Sequence, residues 1–433
     1  MNCMIGLDIG TSAVKGVLMT KEGEILKHEE KCFAYLTPAA CQKVIEAGDY
    51  LSVCLNVLKT LAEALPEQAK IISICQASAS GNLLLLDKNN KPLTPIFNWQ
   101  DNRVTDEVNR VLGELDLNEI YETVGWPLGN TFPLAQLCWL KCRQPELLSK
   151  AAHIVMSTEY LNYILTGKLG IAPSAGTPFY LIDQRKNEYY QPFLKRLGVS
   201  EEKLPPIFKT GTVLGGITKE ASDITGIAAG TPVVLGTFDH PSAAIAAGVT
   251  NEGQMLLSCG TSWVMFYPVA KREKAVAQKL LIDPFLSPEG CWGAMSSLTS
   301  VSEKINGYVE RYISKDSDRF KELDLLASMS KKGANGLRIN PLLGENEAEI
   351  RSFPKSDIAR AIMEGIASLL KENMERLEKG GICASSIVMA GGPSESAVWP
   401  KVISEVLGKE VFVCKGAFSG AVGAAKIGEI NFK

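Results

Sequence analysis

The sequence predicts an α/β protein of two domains built on one design, from three observations. At 433 residues the chain exceeds what one hydrophobic core usually serves, so two domains of about 200 residues each are the expectation. Short apolar strands alternate with amphipathic helices along the chain. An apolar strand, a Gly-Thr-Ser turn and a second strand open the sequence, and the same arrangement returns at Met255 to Val264, about 250 residues later.

Composition narrows the functional classes. Apolar residues make up 46% and charged residues 21%, enough apolar material for substantial cores. A formal charge of -3 provides no field that would draw nucleic acid or an anionic membrane, so phosphate binding has to be local. The eleven cysteines lack a C-x-x-C pair, and reduced, mostly buried thiols are expected. With three histidines, a multi-histidine zinc site is disfavoured. No window approaches eighteen apolar residues and no signal-peptide pattern opens the chain, so a cytoplasmic location is expected.

The opening strand, Met4 to Ile9, delivers Asp8 near its end and leads into Gly10, Thr11 and Ser12, with Lys15 on the next strand. Gly10 lets backbone approach an anion, Thr11, Ser12 and Lys15 supply donors, and Asp8 can hold magnesium. Val14 to Thr20 and Ile25 to Phe33 continue as a meander, and Asp49 to Ala64 has the spacing of an amphipathic helix before Pro66. Ile71 to Cys75 is a buried strand, followed by the small polar loop Gln76 to Gly81, where α/β folds place ligands. Phe97 to Arg103 reads as extended, with Trp99, Asp101 and Arg103 on one side, a flat face beside charged groups that suits a polyhydroxylated ligand.

Ala151 to Gly167 reads as a helix that stops at Gly167. Pro232 to Gly236 is a buried strand, and Asp239 follows where the chain passes into the small-residue helix Ala243 to Ala247. Asp239 has two readings, a helix cap or a general base held against a substrate hydroxyl. In the repeat, Ser258 stands where the first copy has Asp8, so only the first hairpin can hold a cation through a carboxylate. Residues 271–332 are charged and partly helical, without a motif. Gly336 to Glu345 reads as strand and loop, and a long helix capped by Ser356 ends at Gly380-Gly381. Ser386 to Ala390 is a buried strand opening into Gly391-Gly392, where glycines admit a flat ligand. A helix from Trp399, a strand Val411 to Cys414 and a helix Gly420 to Ile427 complete the chain.

Taken together, these stretches resemble the FGGY carbohydrate kinases over nearly the whole chain. D-I-G-T-S at Asp8 to Ser12 resembles the family's first phosphate motif, and Trp99-x-Asp101-x-Arg103 its sugar-contacting W-x-D-x-R. Tyr160 to Gly167 resembles Y-L-x-x-x-L-T-G, Gly236 to Asp239 the region of the catalytic aspartate, Ser258 to Ser262 the second phosphate motif, and Ala390 to Gly392 the adenosine motif.

The resemblance implies two actin-like, ribonuclease-H-type domains, 1–245 and 246–433, with ATP and sugar in the cleft between them. It implies ATP and Mg2+ as cofactors, with Asp8 on the metal and Gly10, Thr11, Ser12 and Lys15 at phosphates. Gly260, Thr261 and Ser262 would grip phosphates from the second domain, and Gly391 and Gly392 would face adenosine. Ser78, Ser80, Gly81, Trp99, Asp101 and Arg103 would line the sugar site, and Asp239 would be the base.

The chain departs from the family at three places. Ser78-Ala79-Ser80-Gly81 stands in place of the Q-M-H-G loop of xylulokinases, which counts against xylulose specifically, Gly344-Glu345-Asn346 in place of G-E-R, and Ala417-Phe418-Ser419 replaces an acidic residue. The expected activity is phosphorylation of a small sugar or polyol hydroxyl, with a ketopentose such as xylulose the first guess. Gluconate, fuculose or glycerol kinases, a non-catalytic actin-like ATP-dependent binding module and a turnover-free sugar sensor are the alternatives. Nucleic-acid and membrane partners are not expected, and the choice between monomer and homodimer stays open.

Overall fold

The computed structural model describes residues 1–113, 115–285, 290–341, 347–414, 416 and 418–429. The chain packs as two units, one of Met1–Ala246, Leu281–Trp292 and Phe418–Lys433, the other of Ala247–Leu280 and Gly293–Ala417. The grouping is therefore not a single cut near residue 245, because the last helix packs with the first unit.

In the first unit, Asn2–Ile9, Ala13–Thr20 and Ile25–Cys32 form an antiparallel meander at one side of a six-stranded sheet. The helix Ala47–Glu63 buries Tyr50, Cys54, Val57, Leu58 and Leu61, and this face lets the chain cross over the sheet. The crossover returns as Lys70–Ser78, which pairs parallel to the opening strand with Asp8 opposite Ala77. Pro232–Val234 adds next to it, again parallel, so three strand ends lie at the same edge. The C-terminal helix Ser419–Glu429 packs on the opening strand through its small residues, because Gly6 meets the Ala421 backbone and leaves no room for side chains there.

Two local expectations need correction. The stretch from Ala151 is not one helix: His153–Val155 is a strand paired with Leu84–Leu86, and the helix is Ser157–Thr166, ended by Gly167 at φ 73°. Ile154, Val155 and Met156 are fully buried, so β-branched packing against three leucines overrides helical spacing. Only Ile96–Phe97 of the Phe97 segment is strand. Asn98 Oδ1 accepts from the Gln100 amide (2.8 Å) and its carbonyl from the Asp101 amide (3.0 Å), so an Asx-type turn replaces the alternation.

In the second unit, Gly253–Cys259 pairs antiparallel with Trp263–Val269 and parallel with Ala384–Gly391, which pairs parallel with Glu410–Val413. The long helix is Lys355–Lys379, started after Pro354, so Ser356 lies inside it rather than capping it. No strand forms in the described part of 336–345; Ala334–Gly336 is a 3-10 turn. Residues 271–332 contain the helices Arg272–Ala277, Val301–Tyr312 and Arg319–Met329. The departures at Gly344 to Asn346 and at Ala417 lie outside the described residues. No disulfide forms among the described residues, and five of the eleven cysteines are buried, fewer than expected. No described helix is long and apolar enough to cross a membrane, and no cluster of three or more metal-ligating side chains occurs among the described residues.

Candidate active site

The first hairpin turns through Gly10, whose amide donates to the Ala13 carbonyl (3.0 Å), leaving Thr11 and Ser12 at the tip. In register, Asp8 lies opposite Lys15, and Lys15 opposite Glu30, so one row of the sheet reads acid, base, acid. Asp8 is half-buried, and its Oδ1 is enclosed without a protein partner. Burial, then the negative charge of Asp239, pushes its carboxyl up to about 7, with Lys15 opposing and Glu30 adding to the rise. An unpaired, destabilised carboxylate of this kind fits a cation held mainly by other ligands, such as phosphate and water. Gly420 in the first turn of the C-terminal helix sits directly against it: a Cβ there would come 2.5 Å from Asp8 Cγ.

Asp239 begins the helix Asp239–Ala246. Its Oδ1 accepts from the amide of the next residue, His240 (2.7 Å), not from the second or third amide that a capping side chain takes, so the bond does not bear out the cap reading. Burial raises its carboxyl above the usual range, with the His240 charge and amides opposing. The preceding backbone is held from two sides. Thr237 O accepts from Ser78 N (3.2 Å), and Phe238 N donates to Ser174 Oγ (3.1 Å). The helix is pinned to the C-terminal one, where Ser242 Oγ donates to Gly420 O (2.8 Å) and Lys426 Nζ to Ala246 O (3.0 Å). Asp8 and Asp239 thus come from residues far apart in sequence but are brought within electrostatic range by one rigid set of elements.

A third carboxylate, Asp283, was not among the sequence-derived candidates. It is fully buried with Oδ2 unpartnered, and Oδ1 accepts from Phe285 N (2.6 Å). Burial pushes it up to about 7 against the Ser174 hydroxyl and the Phe285 amide, and the charge of Asp239 adds to the rise. Asp283 lies in the stretch without a motif, so no local signal marked it.

In the stretch expected to meet a sugar, Ser78 and Ser80 are buried, and Ser80 N donates to Ser78 Oγ (2.9 Å). Ser80 and Gly81 both take positive φ, 49° and 69°, giving a tight turn beneath the ring of Phe132. A small cavity is lined by Thr11, Tyr35, Ser80, Asn82, Asn98 and Trp99; Tyr35 and Asn82 were missed because they are single residues in separate loops, and Asn98 because the alternation assigned the face to Trp99, Asp101 and Arg103. Trp99 is partly exposed, and its Nε1 donates to Thr11 Oγ1 (2.9 Å). Nearby, Phe132 stacks on Tyr180 (4.9 Å), and Trp126 meets Phe132, Tyr180 and Phe238 edge-on.

Asp101 and Arg103 are placed differently from a pair of open sugar ligands. Arg103 Nε and Nη2 reach the two oxygens of Asp101, each at 2.7 Å, and Lys43 N donates to Asp101 Oδ2 (2.8 Å). The Asp101 side chain is 0% exposed and the Arg103 side chain 7%, with the guanidinium 3.9 Å above the Phe97 ring. Both are committed to one another, and their geometry holds the loop that carries Trp99.

In the second unit, the corresponding turn closes with Gly260 N donating to Ser262 O (3.2 Å). The start of the helix Val301–Tyr312 braces it. Ser302 Oγ donates to Gly260 O (2.6 Å), and Ser300 N to Ser262 Oγ (3.3 Å). Ser302 N also donates to Thr261 O (3.3 Å). Gly391 has φ 96°, and a Cβ there would meet the Cys259 carbonyl carbon at 2.9 Å, so glycine is required beside this turn. Gly392 begins the short turn Gly392–Glu395.

Family models identify the class to which this fold and these turns belong. The FGGY family of carbohydrate kinases, N-terminal domain, matches residues 3–246, and its C-terminal domain matches residues 255–431. The chain belongs to this family and is an ATP-dependent carbohydrate kinase, a phosphotransferase with an alcohol group as acceptor.

Among curated proteins it is similar to the xylulose kinase of Bacillus subtilis, 24% identical over 99% of this chain and 88% of that protein. The gluconokinase of the same organism is 22% identical over 98% and 86%. Among solved structures, xylulose kinase from Rhodospirillum rubrum superposes with TM-score 0.89 at 23% identity, covering 100% of this chain and 90% of that one. Glycerol kinase from Plasmodium falciparum with ADP gives 0.86 at 17%, again over 100% and 90%. These likenesses establish the actin-like, two-domain α/β fold.

Proposed function

We propose that the enzyme transfers the γ-phosphoryl group of ATP to a primary hydroxyl of a small sugar or polyol in the cytoplasm, with a ketopentose such as xylulose as the first substrate to test. The observation that carries this reading is the meeting of two perturbed carboxylates, Asp8 and Asp239, beside a loop of buried hydroxyls and a partly exposed tryptophan. Asp239 takes the proton from the attacking hydroxyl. Its raised proton affinity suits a base that must hold that proton once transfer begins.

Mg2+ would be held by Asp8, whose enclosed Oδ1 has no other partner, and would neutralise charge on the phosphates. Gly10, Thr11, Ser12 and Lys15 contact phosphoryl oxygens, as do Gly260, Thr261 and Ser262, while Gly391 and Gly392 face adenosine. Ser78, Ser80, Gly81 and Trp99 receive the sugar. Asp101 and Arg103 support that surface from behind.

The test is a coupled ADP assay over ketoses, polyols and aldonates, with Asp239→Asn as the paired variant. The variant should bind ATP normally and lose about 10² to 10⁴ in kcat. Near-normal turnover would remove Asp239 from the base role, and no sugar-dependent ADP from the wild type would defeat the substrate assignment.

A further inference from the structure

Trp99 and Thr11 were assigned to different ends of the reaction, one to sugar and one to phosphate, yet they share a hydrogen bond of 2.9 Å. An indole N–H can only donate, so Thr11 Oγ1 is the acceptor. A threonine hydroxyl has one proton to give, and its rotor is otherwise free to spend that proton on backbone or water. With a lone pair occupied by the indole, the O–H is left to donate in a direction away from Trp99. The resulting N–H···O–H chain is polarised, which strengthens the outward bond.

The loop geometry supports a dedicated role for this bond. Trp99 lies between Asn98, whose Oδ1 closes the turn on Gln100 N, and Asp101, whose two oxygens are held by Arg103 and Lys43 N. Both strands of the opening hairpin are tied nearby, through Ala79 N to Ile9 O (2.9 Å) and Phe33 N to Ser12 O (2.8 Å). The indole is thus fixed at its base by a buried ion pair while its ring stays partly exposed beside the cavity it shares with Thr11.

We infer that Trp99 is a positioning residue that couples the sugar site to the phosphate turn, by holding the Thr11 hydroxyl so that its proton points at a phosphoryl oxygen. A sugar against the ring steadies the indole, and through it the donor. ATP bound without sugar meets a Thr11 hydroxyl held by the indole alone. This rests on the kinase reading above and adds to it a route by which sugar makes phosphoryl transfer productive.

The experiment compares Trp99→Phe, Thr11→Val and the double variant, using the wild-type enzyme's best sugar. Trp99→Phe keeps an aromatic ring and removes only the N–H. It should lower kcat about 10- to 100-fold and leave the sugar KM within about 3-fold, in line with misdirecting the Thr11 hydroxyl's bond to a charged phosphoryl oxygen. Thr11→Val should behave alike, Thr11→Ser should restore most of the rate, and the double variant should be no worse than the poorer single one.

Additive losses, or a change in sugar KM alone with kcat intact, would overturn the coupling and leave Trp99 a stacking surface. Thermal unfolding of each variant shows whether folding is retained, and Thr11→Ser versus Thr11→Val carries the test if the tryptophan variant fails to fold. A wild type that phosphorylates nothing in the panel would instead defeat the kinase substrate reading.

Discussion

Gly420→Ala is the substitution whose consequence follows most directly from the geometry. Gly420 lies in the helix Ser419–Glu429, where alanine is preferred to glycine by about 1 kcal/mol on propensity alone. The added methyl, however, would stand 2.5 Å from Asp8 Cγ, against 3.4 Å for ordinary contact, so about 0.9 Å must be recovered. The Asp8 carboxylate is the end of a side chain and can swing away, so the fold accommodates the change while the carboxylate moves. A displacement near 1 Å in a catalytic group can cost about 10²-fold. The expected result is a kcat lowered 10- to 100-fold and an increased Mg2+ requirement, with a melting temperature within a few degrees of wild type. Steady-state kinetics over a Mg2+ titration, with a thermal scan, measures all three. Wild-type kcat and Mg2+ dependence in a folded Gly420→Ala protein would refute the assignment of Asp8 to the metal.

Two further outcomes concern stability and nucleotide binding. Glu159 is buried and accepts from Met156 N (3.0 Å), and burial pushes its carboxyl up from 4.5 to about 8. A raised folded value for an acid means its ionisation opposes folding: the penalty is absent below about 4.5, grows through the interval and is complete above about 8. Glu159→Gln, which keeps the acceptor, should gain several degrees of melting temperature at pH 9 and little at pH 5; equal gains at both would show that ionisation is not the cause. Gly391→Ala places a side chain at φ 96° against the Cys259 backbone and should cost about 1–3 kcal/mol. A lower melting temperature accompanied by a higher ATP KM is expected, and unchanged values for both would argue against the requirement for glycine.

Much of this was legible because its physics is local. The strand end at Asp8, the helix start at Asp239, the Gly-Thr-Ser turns and the Gly167 stop depend on a few adjacent residues, and the opening meander appears with boundaries close to those read from periodicity. What escaped depends on partners distant in sequence. Asp101 and Arg103 suggest sugar ligands by type, but only the folded loop shows Lys43 N and the Phe97 ring closing around them. Asp283 carries no signature, since its importance comes from Ser174 and Asp239, roughly a hundred and roughly forty residues upstream. His153 to Val155 form a strand only because Leu84 to Leu86 present a partner. The small residues of the last helix read simply as a helix. Their purpose, a backbone-close approach to Gly6 and Ser242, exists only against the opening strand and the Asp239 helix.

The two hairpins show how one backbone serves two electrostatic purposes. Each opens on a strand paired antiparallel to its successor and parallel to a later strand, and each closes with a glycine amide donating across the turn. The backbone donors that suit phosphate are therefore common to both. At the strand end they diverge: Asp8 faces Lys15 in the first, whereas Ser258 faces Val264 in the second. A serine beside a valine adds a hydroxyl without charge, so the second turn can offer its amides to an anion without carboxylate repulsion. On the proposed assignment the first turn needs a cation to do the same, because Asp8 would otherwise oppose a phosphate held by Thr11 and Ser12. Asp8→Ser would make the first hairpin resemble the second. It should therefore keep ATP binding measurable without Mg2+ while losing the metal-dependent part of the rate, and a variant that still required Mg2+ for full turnover would show that the cation is held elsewhere.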